Sequence, residues 1–144
     1  MSPQPVLSIF VVDDELVIAS TLAAILRMSG YSARFFTRPL EALTAAQSEA
    51  PDLLISDVLM PELSGVDLAI RMRAQHPKCK ILLFSGHAAT LDLLEDARNL
   101  GHDFHLLLKP VHPSELLLEI GTLGDGAQSR RPQDDARDHL RLAG

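Results

Sequence analysis

The sequence predicts a doubly wound α/β sandwich built around a five-stranded parallel sheet. Short apolar runs rich in β-branched residues alternate with segments whose apolar residues recur at helical spacing. Such alternation is typical of parallel strands joined by right-handed crossover helices. The chain has 144 residues. A (β/α)₈ barrel needs about 250 residues, so we expect an open three-layer sandwich of five βα units.

The five strands are predicted from short apolar runs of the kind buried on both faces of a sheet. In chain order they cover residues 6–12, 31–36, 52–57, 80–84 and 104–108. The first run stops at Asp13, the third at Asp57 and the fifth at Lys109. Three of the five strands therefore end at ionisable residues.

The helices are predicted from apolar residues at helical spacing and from signals at their ends. In chain order they cover 15–29, a stretch opening near 37–39, a stretch capped at 64, 89–100 and 113–120. The third begins with the capping-box pattern Ser64-x-x-Asp67. Gly30 and Gly101 follow the first and fourth helices, where a C-terminal glycine belongs, and Pro113 opens the fifth.

The composition is that of a packed globular domain. Apolar residues make up 47% of the chain, charged residues 22%, and the formal charge is −6. This acidic balance argues against direct nucleic-acid binding. The single Cys79 has no intrachain disulfide partner, and no apolar run approaches the roughly 20 residues of a membrane span. We expect a soluble, cytoplasmic protein without a membrane interaction.

The segment after residue 121 changes character. Residues 122–144 have no apolar periodicity, so burial would not offset the entropy that they lose on ordering. We expect one domain over 5–121 and a flexible C-terminal tail over 122–144. The alternative is that 135–142 folds as a short helix on a partner.

Polar residues stand where four of the predicted strands end. Asp13 and Asp14 follow the first strand, and Asp57 ends the third. Ser85 follows the fourth strand and Lys109 the fifth. Because the carboxyl ends of parallel strands share one edge of the sheet, where such folds bind ligands, we expect these side chains to form one site.

Three carboxylates brought close together repel one another unless a cation lies between them. Oxygen-only ligands favour Mg²⁺, with Mn²⁺ as an alternative, and Mg²⁺ also contacts phosphate oxygens. Asp57 stands alone at the end of a central strand and is the best candidate for a nucleophile that forms an aspartyl phosphate. Asp13 and Asp14 are paired like metal ligands, while Lys109 and Ser85 suit contacts to phosphoryl oxygens.

Four motifs at these strand ends occur together in a recognisable order. They are Val-Val-Asp13-Asp14-Glu15, Asp57-Val-Leu-Met-Pro61 with Gly65 beyond it, Phe84-Ser85-Gly86 and Lys109-Pro110. Together they resemble the receiver domain of two-component response regulators over about residues 5–121. The resemblance implies a flavodoxin-like (βα)₅ domain that accepts a phosphoryl group from a histidine kinase or phosphotransfer protein on Asp57. It implies that Mg²⁺ is held by Asp13, Asp14, Asp57 and the backbone carbonyl of Leu59.

The resemblance also implies a switch, from which the sequence departs. In that family a Ser or Thr acts with an aromatic residue three positions before the lysine. Ser85 fills the first position, but Leu106 stands at the second. The stretch before the lysine is one residue longer than usual, so Phe104 and His105 are alternative aromatic partners.

The resemblance implies an output through protein contacts, with the fourth helix, fifth strand and fifth helix as a face for a downstream protein or a homodimer. No output domain follows in the sequence, so we expect a stand-alone or excised receiver that catalyses only its own phosphorylation and dephosphorylation. More leucines than one inner helix face needs are further candidates for partner contacts: Leu91, Leu93, Leu94, Leu100 and Leu116 to Leu118.

Two other functions are weighed against this one. The first is a phosphorylation-independent pseudo-receiver, an interaction module that keeps the acids without phosphoryl transfer. The second is a phosphatase with an aspartyl-phosphate intermediate. Such enzymes place a second carboxylate two residues after the nucleophile for acid catalysis, and Leu59 occupies that position here.

Overall fold

The computed structural model describes residues 7–86 and 90–129, with side chains up to residue 123. Strands and helices alternate through the described chain as the sequence predicts. They are β1 Ser8–Val12, α1 Leu16–Met28, β2 Ser32–Phe36, α2 Pro39–Ser48, β3 Leu53–Asp57, α3 Gly65–Gln75, β4 Lys80–Ser85, α4 Thr90–Asn99, β5 His105–Leu108 and α5 Pro113–Ser129. The chain divides into two compact units between His112 and Pro113, so the whole sheet belongs to the first unit and α5 to the second.

The five strands form one parallel sheet in the order β2-β1-β3-β4-β5. This order confirms the predicted doubly wound arrangement. Val12 pairs with Ser56 across β1 and β3, and Asp57 pairs with Phe84 across β3 and β4. The strand order reverses between β1 and β3, and ligands bind at such a point in open α/β sheets. Asp13 directly follows β1 there, and Asp57 ends β3.

The larger part of the core lies between the sheet and helices α2, α3 and α4. Alternate residues of the central strands, among them Phe10, Leu54 and Leu83, point into this cluster because strand side chains alternate between faces. Helix α1 packs on β1 and β2 through Ala19, Ala23 and Leu26, which are buried outside that cluster. The sheet is therefore covered on both faces.

The outer strand β2 carries a side-chain bond on its free side. The backbone N–H of Ser32 donates to Leu7 and the carbonyl of Phe36 accepts from Asp13, so these residues bond toward β1. Because bonding directions alternate along a strand, Ala33 faces outward. The Nε–H of Arg27, at the end of α1, donates to the carbonyl oxygen of Ala33 at 2.8 Å.

The structure confirms the capping prediction for α3 and extends α5. The side-chain oxygen of Ser64 accepts from the backbone N–H of Asp67 at 3.1 Å. Helix α5 was expected to end near residue 120 but continues to Ser129. The added turns contain leucine, alanine and glutamine, which are good helix formers, and their three glycines weaken a helix without breaking it.

The predicted tail over 122–144 therefore begins with helical residues. Residues 130–144 and the alternative helix at 135–142 lie outside the described residues. The domain boundary at 121 and the flexible tail stay predictions. Residue 89, the predicted start of α4, also lies outside the described ranges, and the helix is seen from Thr90.

Candidate functional site

Three carboxylates meet at the carboxyl ends of β1 and β3. Each of Asp13, Asp14 and Asp57 has a carboxylate oxygen within 4.8 Å of the other two. Asp13 and Asp57 are buried, whereas Asp14 is exposed to solvent. The cluster is thus open on one side, and all its donors are the oxygen ligands that Mg²⁺ and Mn²⁺ prefer.

Asp13 is held in place by contacts from both of its neighbouring segments. Its backbone N–H donates to the carbonyl oxygen of Phe36 at 3.1 Å, and its Oδ1 accepts from the backbone N–H of Glu15 at 2.9 Å. Burial raises the pKa of Asp13 from 3.8, and the hydrogen bond from Glu15 and the charge of Lys109 partly offset this rise. The carboxylate is fixed at the start of α1 rather than free to turn toward solvent.

Lys109 supplies a cation shared by the two buried carboxylates. Its Nζ lies 3.4 Å from Oδ2 of Asp13 and 3.4 Å from Oδ2 of Asp57. The backbone N–H of Lys109 donates to the carbonyl oxygen of Ser85 at 2.9 Å, and its Nζ lies 5.0 Å from the ring centroid of Phe84. The end of β4 therefore positions this lysine over the acids.

Asp57 ends the central strand β3 beside this ammonium. Burial raises the pKa of Asp57 from 3.8, and the charge of Lys109 and its hydrogen bond partly counter the rise. The cluster holds three carboxylates against one lysine, so it carries an excess of negative charge when all three are ionised. A divalent cation would balance that excess, which is why the donor set fits Mg²⁺.

Gly65 closes the loop that follows Asp57. Its backbone N–H donates to the carbonyl oxygen of Val58 at 2.7 Å. A Cβ added at Gly65 would collide with the carbonyl oxygen of Asp57. A glycine is therefore required at the start of α3, because any side chain would push the backbone of the central aspartate.

We expect Gly65→Ala to lower the free energy of unfolding by about 1–3 kcal/mol, the usual penalty for overpacking. Urea denaturation of the two proteins measures the difference. Gly121→Ala is the control, since a Cβ there meets nothing within 4 Å and alanine in a helix is favoured over glycine by up to about 1 kcal/mol. Equal destabilisation by both substitutions would contradict the steric argument.

The raised pKa values of Asp13 and Asp57 predict a pH-dependent stability. A carboxyl that binds its proton more tightly in the folded state loses stabilisation as the pH rises from 3.8 through the folded-state pKa. In EDTA at pH 7, Asp57→Asn should therefore be more stable than the wild type, and the difference should vanish below about pH 4.

Thermal denaturation across this pH range tests that expectation. The exposed Asp67→Asn should show no comparable gain, since its carboxylate lies outside the cluster. Saturating Mg²⁺ should stabilise the wild type and reduce or reverse the order, because a ligand that binds only the folded state raises its stability. A wild type more stable than Asp57→Asn in EDTA at every pH would refute the argument.

The four predicted switch residues lie in different environments in the structure. Ser85 is buried at the end of β4 and pairs with Leu108. Leu106 pairs with Leu83 and packs against the core, so it lies on the same face of the sheet as Ser85. His105 lies on the opposite face and is exposed.

The buried ring of Phe104 has a structural environment of its own. It stacks on His102 with centroids 5.8 Å apart, and the guanidinium of Arg73 lies 5.0 Å from its centroid. Phe104 precedes β5 and belongs to the core cluster beside α3 and α4. Of the three candidates for the second switch position, Leu106 thus lies within β5 on the face of Ser85, while Phe104 lies before the strand and His105 on the opposite face.

The leucines predicted in excess divide into two groups. Leu94 and Leu116 are buried, and Leu93 and Leu117 are partly buried. The exposed ones are Leu91, Leu100 and Leu118, together with Leu108 of β5, which the sequence did not single out. Leu59 is also exposed, at 39%, in the loop after Asp57. Exposed leucines are candidates for partner contacts.

Two contacts near the site were missed from the sequence. Phe84 lies under the ammonium of Lys109, and its place beside Asp57 follows once the register of β3 and β4 is known. Arg38 of the β2–α2 loop pairs with Glu62 of the β3–α3 loop at 3.1 Å. This ion pair joins two loops that are distant in sequence, and no spacing pattern in the sequence predicts it.

Comparison with known proteins gives a consistent result. The family described as "Response regulator receiver domain" matches residues 9–121. The chain is 31% identical over 116 residues to "Transcriptional regulatory protein CreB" of Escherichia coli (strain K12), covering 81% of this chain and 50% of CreB. The chain thus spans about half the length of this curated relative.

Solved structures show the same similarity. A signal receiver domain of an HD domain-containing protein from Pseudomonas fluorescens Pf-5 matches with a TM-score of 0.79 and 29% identity, covering 88% of this chain and all of that chain (100%). A CheY-like receiver domain protein from Methanospirillum hungatei JF-1 matches with a TM-score of 0.74 and 27% identity, covering 81% and 92%. None of the helices in the described ranges has the length and apolarity needed to cross a bilayer.

Proposed function

The chain belongs to the response regulator receiver domain family, and we propose that its Asp57 accepts a phosphoryl group from a sensor histidine kinase or a phosphotransfer protein. The observation that carries the proposal is the cluster of Asp13, Asp14 and Asp57, whose oxygens lie within 4.8 Å of one another, with Lys109 3.4 Å from two of them. This arrangement gathers a carboxylate nucleophile, metal ligands and a cation at one edge of the sheet.

In the proposed reaction a carboxylate oxygen of Asp57 attacks the phosphorus of a phosphohistidine. The P–O bond to Asp57 forms as the P–N bond breaks, and the released imidazole takes up a proton. Lys109 neutralises charge on the phosphoryl oxygens, and the buried hydroxyl of Ser85 suits a hydrogen bond to one of them. Asp13, Asp14, Asp57 and the Leu59 carbonyl would hold Mg²⁺, which would supply further charge neutralisation when bound.

The proposed output is a change in protein contacts. Ser85 and Leu106 share a face of the sheet, so movement of Ser85 toward the phosphoryl group is transmitted to the side of β5 that carries Leu106. Leu91 of α4 and Leu108 of β5 are exposed apolar side chains suited to a downstream protein or a second copy of the chain. The proposal includes no direct contact with nucleic acid.

A turnover enzyme of the phosphatase type fits the site less well. Leu59 stands two residues beyond Asp57 and is apolar, so it offers no acid or base to a leaving group. The proposed chemistry is limited to the phosphorylation and dephosphorylation of Asp57 itself.

Intact-mass measurement after incubation with an acyl phosphate tests the proposal. With Mg²⁺ present, we expect one adduct of about 80 Da, the mass of a phosphoryl group. EDTA should suppress the adduct, because the three carboxylates then have only Lys109 to offset their charge. If the folded protein formed no adduct in the presence of Mg²⁺, the result would favour the phosphorylation-independent interaction module instead.

A further inference from the structure

The loop between β3 and α3 contains a strained turn next to the acidic cluster. Glu62 has a φ of 74°, a left-handed conformation that is uncommon for a residue with a side chain. The backbone N–H of Leu63 donates to the carbonyl oxygen of Pro61 at 2.8 Å, which closes a tight three-residue turn around Glu62. Turns of this kind are rare and strained, and strain held near a site is a reason to look for a function.

Both ends of this loop are fixed by backbone bonding or burial, while most of its middle is exposed. The N–H of Gly65 donates to the Val58 carbonyl at 2.7 Å, and Leu63 is buried in the core. The middle of the loop, residues 59–62, is exposed except for Met60, which is partly buried against the core. It includes Leu59, whose carbonyl is the fourth proposed metal ligand. Within the described residues, the side-chain bond that ties this middle to the rest of the domain is the one from Arg38 to Glu62.

This bond joins two loops at the same edge of the sheet. The Nη2 of Arg38, immediately before α2, lies 3.1 Å from Oε2 of Glu62. The two side chains are 62% and 37% exposed, so the pair contributes little to global stability. Its contribution is local, because it holds the strained turn against the neighbouring loop.

We propose that Arg38 and Glu62 are positioning residues that hold the β3–α3 loop in the conformation in which the Leu59 carbonyl joins Asp13, Asp14 and Asp57 around Mg²⁺. The inference rests on the proposed function. Without the pair, the strained turn at Glu62 relaxes, the carbonyl leaves its place, and Mg²⁺ binds more weakly.

The direction in which each of two single substitutions changes Mg²⁺ affinity separates positioning from simple electrostatics. Arg38→Gln removes a positive charge near the site, so Coulomb's law alone predicts tighter Mg²⁺ binding. Glu62→Gln removes a negative charge, so Coulomb's law alone predicts weaker binding. Positioning predicts weaker binding for both, and a double variant no weaker than the worse single one, because both changes break the same bond.

Isothermal titration with Mg²⁺ at low ionic strength measures these effects. We expect each single variant to raise the dissociation constant about two- to fivefold, as suits one exposed ion pair. The charge swap Arg38→Glu with Glu62→Arg should restore most of the affinity, and 1 M salt should remove the difference by screening the pair. Arg98→Gln is the matched control, because it breaks an exposed pair with Asp103 at 3.7 Å away from the acidic cluster.

The outcomes separate the inference from the proposed function. Suppose that the wild type binds Mg²⁺ and takes up a phosphoryl group, but Arg38→Gln binds Mg²⁺ equally or more tightly. This result would overturn the positioning role and leave the proposed function standing. A wild type that neither binds Mg²⁺ nor forms the adduct would overturn both. An equal loss of affinity in Arg98→Gln would show that breaking an exposed ion pair elsewhere in the domain has the same effect, and would also overturn the positioning role.

Discussion

Asp57→Asn is expected to abolish the phosphoryl adduct that the wild type forms with an acyl phosphate and Mg²⁺. The carboxylate is the nucleophile, and an amide of the same size has no ionised oxygen to attack phosphorus. Asp57 ends β3, pairs with Phe84 of β4 and lies beside the shared ammonium. Intact-mass spectrometry should show the gain of about 80 Da in the wild type alone.

A control variant makes this result specific. Asp67→Asn, an exposed substitution in the first turn of α3, should keep the full adduct. If Asp57→Asn still gained the same mass, the acceptor would be another group, with Asp13 and Asp14 the nearest carboxylates. Partner binding that depends on the acyl phosphate in the wild type and is lost in Asp57→Asn would exclude the phosphorylation-independent module.

Lys109→Met is expected to slow adduct formation by about 100-fold, the lower end of the effect of removing one preorganised group that stabilises a developing charge. Its Nζ lies 3.4 Å from Asp57, so it is close enough to reach the oxygens of a phosphoryl group on that residue. Methionine keeps most of the length of the side chain and removes the charge. Stopped-flow or quenched mass measurements at fixed Mg²⁺ give the rate constants.

Lys78→Met is the control for the loss of a lysine, since Lys78 is exposed in the turn before β4. Its rate should equal that of the wild type. A Lys109→Met protein that is phosphorylated as fast as Lys78→Met would show that the ammonium only pairs with the buried acids. Mg²⁺ affinity measured on the same samples separates slower chemistry from weaker metal binding.

Most of the fold follows from local patterns in the sequence. The apolar run before Asp57 and the helical spacing before Gly30 lie within single elements, and short-range rules describe such elements well. The parallel arrangement places the carboxyl end of every strand at one edge of the sheet, so the sequence predicts Asp13, Asp57 and Lys109 in one site. It does not predict their distances, since they depend on register.

Features that depend on contacts between distant segments are harder to predict from the sequence. The length of α5 was underestimated because glycine-containing turns look unfavourable without their surroundings, and the helix reaches Ser129. The pair of Arg38 and Glu62 joins positions 24 residues apart, and a left-handed φ at a glutamate has no compositional signal. That Leu106 shares a face of the sheet with Ser85, whereas His105 lies on the opposite face, also follows only from the pairing of β4 with β5.

The hydrogen bond from Arg27 to the carbonyl of Ala33 has a consequence for assembly. A foreign β-strand adding to the sheet beyond β2 would have to displace a guanidinium that already occupies an acceptor it needs. It would also bring its own backbone against a positively charged side chain. Such protection is a recognised defence against uncontrolled fibre growth, and it directs any self-association of this protein toward its other surfaces.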